Sequence, residues 1–307
     1  MNEKELLRRT ARSFALTLGL LPQSARSEAS LAYLLARGTD TIADQADADS
    51  AQRAGALRSF LASLGRTGIE GYDAEEWSRS VRDDAASRLL ARMPELWRRM
   101  QSLENGALHR VRTVIGCILE GQIFDVERFF PDSPPLAGEE LSRYTYLVAG
   151  SAGEFLTDLC AAHQRDFSAD PLPSMRDRAR SYGEALQLVN ILRDRRMDAA
   201  LGRVYLENRD VPRAMETART GLAAGGDYCA ALRSGRLRYA LLLPALLGLR
   251  TLALLGDRGD DTLAPRKVPR REVRQWLLRA LPVWFSPGRV RGLVARAAGA
   301  DVTAQQE

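Results

Sequence analysis

Alternating β-branched runs are sparse along this chain, while long stretches rich in Ala, Leu, Arg and Glu carry apolar positions at helical spacing. That pattern predicts an all-α protein. Residues 111–130, VRTVIGCILEGQIFDVERFF, read as a strongly amphipathic helix, which the three prolines of PDSPPLAGEE then end. Gly116 and Gly121 within it admit either a close helix neighbour or a ligand. Residues 141–159 predict a further helix, whose Ala149, Gly150 and Gly153 permit close packing. Residues 46–71 predict a loop and a surface helix. Asp83 and Asp84 are adjacent, cannot share a helix face, and are read as solvated. Residues 239–255, YALLLPALLGLRTLALL, are nearly all apolar. At seventeen residues, with Pro244 and Arg250 inside, this stretch is marginal as a membrane span and fits a buried helix better. No repeat or low-complexity linker stands out, so one domain over residues 1–307 is expected.

Two helical stretches carry a polar stripe that the amphipathic pattern does not require. In residues 181–206, SYGEALQLVNILRDRRMDAALGRVYL, Gln187, Asn190, Asp194 and Asp198 follow at steps of three, four and four. Side chains so spaced stack on one helix face, and Leu186, Val189, Ile191 and Leu192 cover its flanks. In residues 31–44, LAYLLARGTDTIAD, Tyr33, Arg37, Asp40 and Asp44 repeat the arrangement between Leu31, Leu34, Leu35 and Ile42. An unpaired buried carboxylate is costly, and a hard divalent cation bound to phosphate oxygens would partner it. One Asp-x-x-x-Asp pair alone reads as a solvated helix face. Two such pairs, each with an arginine beside it (Arg37, Arg193), point to a site.

Composition narrows the chemistry. The net charge is +5, and apart from Lys4 and Lys267 every cation is arginine. Arginine suits bidentate phosphate binding, and the scarcity of lysine disfavours a P-loop or a Schiff-base enzyme. Gly-x-Ser-x-Gly, His-Glu-x-x-His and Gly-x-Gly-x-x-Gly are all absent, and His109 and His163 stand alone as structural or surface residues. Cys117, Cys160 and Cys229 are far apart and odd in number, which suggests reduced, mostly buried thiols. No nucleic-acid partner is expected. Arg8 and Arg9 before SFALTLGLLP superficially resemble a signal peptide, but the short apolar part and Pro22 favour mature structure. Residues 266–296 are basic and interleaved with Trp276, Leu277, Trp284 and Phe285. That segment is either a solvated surface or an interfacial one drawn to anionic lipid, which places the protein in the cytoplasm with peripheral membrane contact as an option.

In order, ARSFALTLGLLP, YLLARGTDTIAD, YTYLVAGSAGEFLTDL and LQLVNILRDRRMDAALGRVYL resemble the squalene/phytoene synthases, which join two prenyl diphosphates head to head. The resemblance runs from about residue 13 to residue 244. It implies a helical bundle of the isoprenoid synthase type around a central cavity. It also implies Mg2+ held by Asp40 and Asp44 on one side of the cavity mouth and by Asn190, Asp194 and Asp198 on the other. Ser13, Phe14, Tyr33, Arg37, Gln187, Arg193 and Arg203 would bind substrate diphosphate. Tyr144 would lie near the reacting carbons, and Gly121 and Asp125 match a helix lining the cavity. The Asp-Thr-Ile-Ala-Asp form of the first motif looks closer to squalene synthases, so squalene from two farnesyl diphosphates, with NADPH as hydride donor, is the favoured product. A phytoene- or dehydrosqualene-forming relative and a non-catalytic helical assembly factor are the alternatives. Met197, Ala11 and Glu207 depart from the usual pattern, though none removes an aspartate of either pair.

Overall fold

A computed structural model describes residues 3–10, 18–45, 47–130, 133–256 and 267–299. The expected all-α architecture holds: among the described residues the extended pairing is a single bridge between Ser168 and Leu232. The chain divides into two compact units, Met1–Phe129 and Phe130–Glu307.

The first unit contains α1 (Glu3–Thr10), α2 (Gln23–Ala43), α3 (Ser50–Ala62), α4 (Ala74–Arg79), α5 (Asp84–Ala91), α6 (Met93–Gln101) and α7 (Asn105–Arg128). Helix α2 packs on α3, α6 and α7 and buries Leu31, Leu34, Leu35 and Ile42, the flanks its pattern marks as apolar. Two features, one polar and one steric, lock its orientation. Arg110 of α7 donates to both carboxylate oxygens of the buried Glu28 at 2.8 and 2.9 Å. Gly38 leaves room for Met93, whose sulfur would lie 2.2 Å from a Cβ there. Asp49 caps α3 by accepting from the Gln52 amide at 2.7 Å, with the Gln52 side chain reaching back. Asp83 and Asp84 are more than solvated residues. Asp83 caps α5 through the Ala86 amide at 2.8 Å, and Asp84 bonds Arg9 and Arg88, each at 2.8 Å.

The second unit runs α8 (Gly138–Thr145), a π-helical turn (Tyr146–Gly150), α9 (Ser151–His163), α10 (Leu172–Ala200), a 3-10 turn (Asn208–Asp210), α11 (Val211–Ala231), α12 (Gly235–Gly256), α13 (Arg270–Ala280), a second 3-10 turn (Leu281–Trp284) and α14 (Arg289–Ala297). Its centre is α10, which contacts α9, α11 and α12. Glycines allow that approach. A Cβ at Gly153 would lie 2.2 Å from the Ala179 carbonyl oxygen, one at Gly183 2.3 Å from that of Ala149, and one at Gly221 2.6 Å from that of Ser181. Tyr182 of α10 donates to the Leu241 carbonyl of α12 at 2.7 Å. Helix α12 has the length and composition to cross a membrane, yet 61% of its most apolar window is buried within the protein, in keeping with a core helix. The C-terminal basic segment differs from the expectation: Trp276 is buried, not presented outward. Its indole donates to Glu272 at 3.3 Å, and Glu272 is also paired with Arg250 at 2.6 Å.

Candidate active site

The early stripe lies on the last turns of α2. Arg37 pairs with Asp40 one turn on, and Asp44 sits at the helix end, its amide bonded to the Asp40 carbonyl at 3.0 Å. Asp40 is half-buried. Its side chain keeps 42% of its surface accessible, but enough protein surrounds it that the charged form is poorly hydrated. That desolvation, then the neighbouring Asp44, push its pKa up to about 6; Arg37 opposes the shift and Asp125 of α7 adds to it. Asp40 is thus repelled both by Asp44 on its own helix and by Asp125 on α7. Tyr33, on the same face, donates its hydroxyl to the Thr10 carbonyl at 2.8 Å, tying α2 to the end of α1. Ser13 and Phe14 lie outside the described residues. Gln122, one turn before Asp125, is buried with a side-chain oxygen that accepts no hydrogen bond.

The later stripe lies on the C-terminal half of α10. Arg193 grips the adjacent Asp194 with two nitrogens, one at 2.8 Å, and this pairing with Asp194 raises the Arg193 pKa further. Asn190 donates to Gln187 at 3.4 Å, one turn back. Leu188, Val189, Ile191 and Leu192 are buried behind the polar face, while Leu186 is only half-buried. A glycine lets the helix stop sharply. Gly202 adopts φ +80°, a conformation that costs glycine nothing. The Gly202 amide then reaches the Ala199 carbonyl at 3.0 Å and the Arg203 amide reaches that of Asp198 at 2.8 Å. This pair of bonds is a Schellman ending. It folds the chain back so that Arg203 begins beside Asp198.

The same reversal delivers a residue that the stripe pattern had not singled out. Tyr205 is buried and stacks on Tyr144 of α8, ring centroids 5.4 Å apart and planes 23° apart. Tyr144 itself comes just before the π-helical turn, a distortion often found at functional sites. Only the tyrosine within GRVYL hinted at this pair, and periodicity cannot connect residues so distant in sequence.

Among the described residues no group of three His, Cys, Asp or Glu side chains forms a ready metal cage. Magnesium does not need one: it keeps several waters and commonly takes one or two carboxylates together with substrate phosphates. The repulsion of Asp40 by Asp44 and Asp125 is a charge pattern that a divalent cation relieves. Each donor set therefore fits a hard cation that arrives with an anionic substrate, with Arg37 beside the first set and Arg193 beside the second.

Residues 7–214 match the squalene/phytoene synthase family model. A bifunctional lycopene cyclase/phytoene synthase of Phycomyces blakesleeanus is 28% identical over 85% of this chain and 41% of its own length. The squalene synthase of Homo sapiens is 27% identical over 65% of this chain and 44% of its own length. The chain thus spans about two fifths of the length of these curated relatives. In structure it resembles TcSQS solved with the ligand BPH1237, with a TM-score of 0.72 and 19% identity over 97% of both chains, which establishes the fold. Motif order, family match and fold agree: the chain belongs to the squalene/phytoene synthase family, whose members are prenyltransferases.

Proposed function

We propose that this protein condenses two farnesyl diphosphates head to head, through presqualene diphosphate, to squalene. The observation that carries the reading is the recurrence, on α2 and on α10, of a paired-acid face clamped by its own arginine. A helix surface that merely faces solvent has no reason to desolvate Asp40 while setting two further carboxylates near it. The same point argues against a non-catalytic assembly factor. One catalytic domain over residues 1–307, with prenyl diphosphates as substrates, belongs to this reading. So does a cytoplasmic location with peripheral membrane contact.

Bound Mg2+ would be held by Asp40 and Asp44 and by Asn190, Asp194 and Asp198, and would neutralise the diphosphate as the allylic C–O bond breaks. Arg37, Arg193 and Arg203 orient and stabilise the departing diphosphate, with Ser13, Phe14, Tyr33 and Gln187 contributing to its binding. The second prenyl chain attacks the allylic cation through its double bond, and proton loss closes the cyclopropane. The faces of Tyr144 and Tyr205 favour a neighbouring cation. The proton goes to the Tyr144 phenol oxygen or to the released diphosphate. In a squalene-forming reaction a second ionisation follows, and NADPH, to which no residue is assigned, would supply the hydride that ends it.

A phytoene-forming reaction is the second reading, favoured by the match over 85% of the chain to a protein that includes a phytoene synthase. Mass spectrometry of products from C15 and C20 diphosphates, each with and without NADPH, separates the two. Squalene formed only with NADPH supports the proposal. A C40 product from the C20 substrate, indifferent to NADPH, overturns it in favour of phytoene synthesis.

A further inference from the structure

The most conspicuous apolar exposure among the described residues lies in one short stretch, where α13 runs into the second 3-10 turn. Leu278, Leu281 and Phe285 are 67%, 45% and 89% exposed. The steps of three and four continue backward through Arg274 and Arg271, both exposed, so a basic approach leads to an apolar tip. Over residues 267–299 eight lysine and arginine side chains, all exposed, stand against one acid. That acid, Glu272, is already neutralised by Arg250. Arg291 has Asp227 of α11 beside it at 3.6 Å, and the remaining cations leave the outward field of this segment positive.

The tip is held from beneath. Arg238, buried in α12, donates to the Val283 carbonyl at 2.8 Å and to that of Leu232. Gly235 approaches so closely that a Cβ would lie 1.8 Å from the Trp284 carbonyl oxygen. Tyr239 packs its ring 5.8 Å from Trp284 and donates its hydroxyl to the Leu277 carbonyl at 3.1 Å. With Trp276 and Val283 buried, the inward side chains of the segment are used up in packing. Phe285 is thus projected from an anchored turn.

We infer that Leu278, Leu281 and Phe285 form an insertion tip for an anionic lipid bilayer, with Arg271, Arg274, Arg279 and Arg289 meeting the headgroups. Charge complementarity selects this occupant. A second copy docking through the same face would oppose two strongly basic surfaces, whereas an anionic leaflet attracts them. The oily product of the proposed reaction gives the surface its use, and to that extent the inference rests on that reading. It replaces Trp276 and Trp284, the residues that interleaving alone suggested, with Leu278 and Leu281.

Co-sedimentation of the full chain tests it, with vesicles of phosphatidylcholine alone and of phosphatidylcholine with an equal part of phosphatidylglycerol. Binding is expected to the anionic vesicles and to be weak on the neutral ones. Phe285→Ser should weaken it about tenfold, and Arg271→Gln and Arg274→Gln about fivefold each. Phe130→Ser, at an exposed apolar residue elsewhere, should leave it unchanged, and Phe285→Ser should keep the wild-type melting temperature. Equal binding to both vesicles, or equal binding by wild type and Phe285→Ser, overturns the inference. So does self-association in ultracentrifugation that Phe285→Ser abolishes, without vesicle binding. Turnover of farnesyl diphosphate in detergent is the separate readout: product without vesicle binding removes this surface alone, and vesicle binding without product removes the proposed activity alone.

Discussion

At the scale of single residues, the aspartates and their arginines carry the chemistry. Asp40→Asn or Asp194→Asn removes a carboxylate from one set and leaves its arginine in place. Each is expected to lower turnover by about 10²–10³-fold with an unchanged helical circular dichroism spectrum. A near wild-type rate for either variant in saturating magnesium would show that the assignment is wrong. The Tyr144–Tyr205 pair makes a different prediction, because a stacked face depends on the ring and not on the hydroxyl. Tyr205→Leu should cost about tenfold in kcat, and Tyr205→Phe should restore most of it. If Phe and Leu behave alike, the ring has no part in steadying charge. The aspartates were legible in the sequence because their spacing is a property of one helix. Tyr205 was not, since its partner lies sixty residues away on α8 and only packing joins them.

At the scale of elements, the glycines of α9 to α11 set how closely α10 can be approached. Gly183→Ala would drive a methyl group into the Ala149 carbonyl, 2.3 Å away, on the π-helical turn. Backbone cannot yield as a flexible side chain does, so a loss of about 2–3 kcal/mol is expected, read as a lower denaturant midpoint with an unchanged slope. Gly138→Ala, where a Cβ meets nothing within 4 Å, is the matched control and should shift the midpoint little. Sequence patterning located these helices well: the polyproline break after α7, the apolar α12 and the two striped helices all lie where it placed them. It could not give the π-helical turn or the Schellman ending at Gly202. The first depends on contacts from α10, and the second on a positive φ that a glycine permits but does not require.

At the scale of the whole molecule, the two acidic sets are expected to act on one substrate and so to be thermodynamically linked through it. A ligand that binds only the folded chain raises its stability by RT ln(1 + [L]/Kd). Magnesium together with inorganic pyrophosphate should therefore raise the melting temperature of the wild type by several degrees, and each alone by less. In Asp40→Asn or Asp194→Asn the joint effect should shrink toward that of either ligand alone. An undiminished joint shift in both variants would mean that the aspartates do not bind the pair, whatever their effect on turnover.

By itself the sequence determined the all-α class, the position of the main helices and the family, because helical periodicity and ordered motifs are local properties. It also placed the aspartates of both stripes on their helix faces. Which of those charges are strained was a tertiary matter. Asp40 is pushed up to about 6 because folding surrounds it with protein and adds Asp125 of α7 to the Asp44 already one turn away. Exposure was decided the same way. Trp276, Trp284 and Phe285 look alike in sequence, yet α12 draws the first inward and anchors the turn carrying the second, leaving the third in solvent. Periodicity assigns a side chain to a face, but desolvation and exposure depend on what packs against that face, and only the folded chain supplies it.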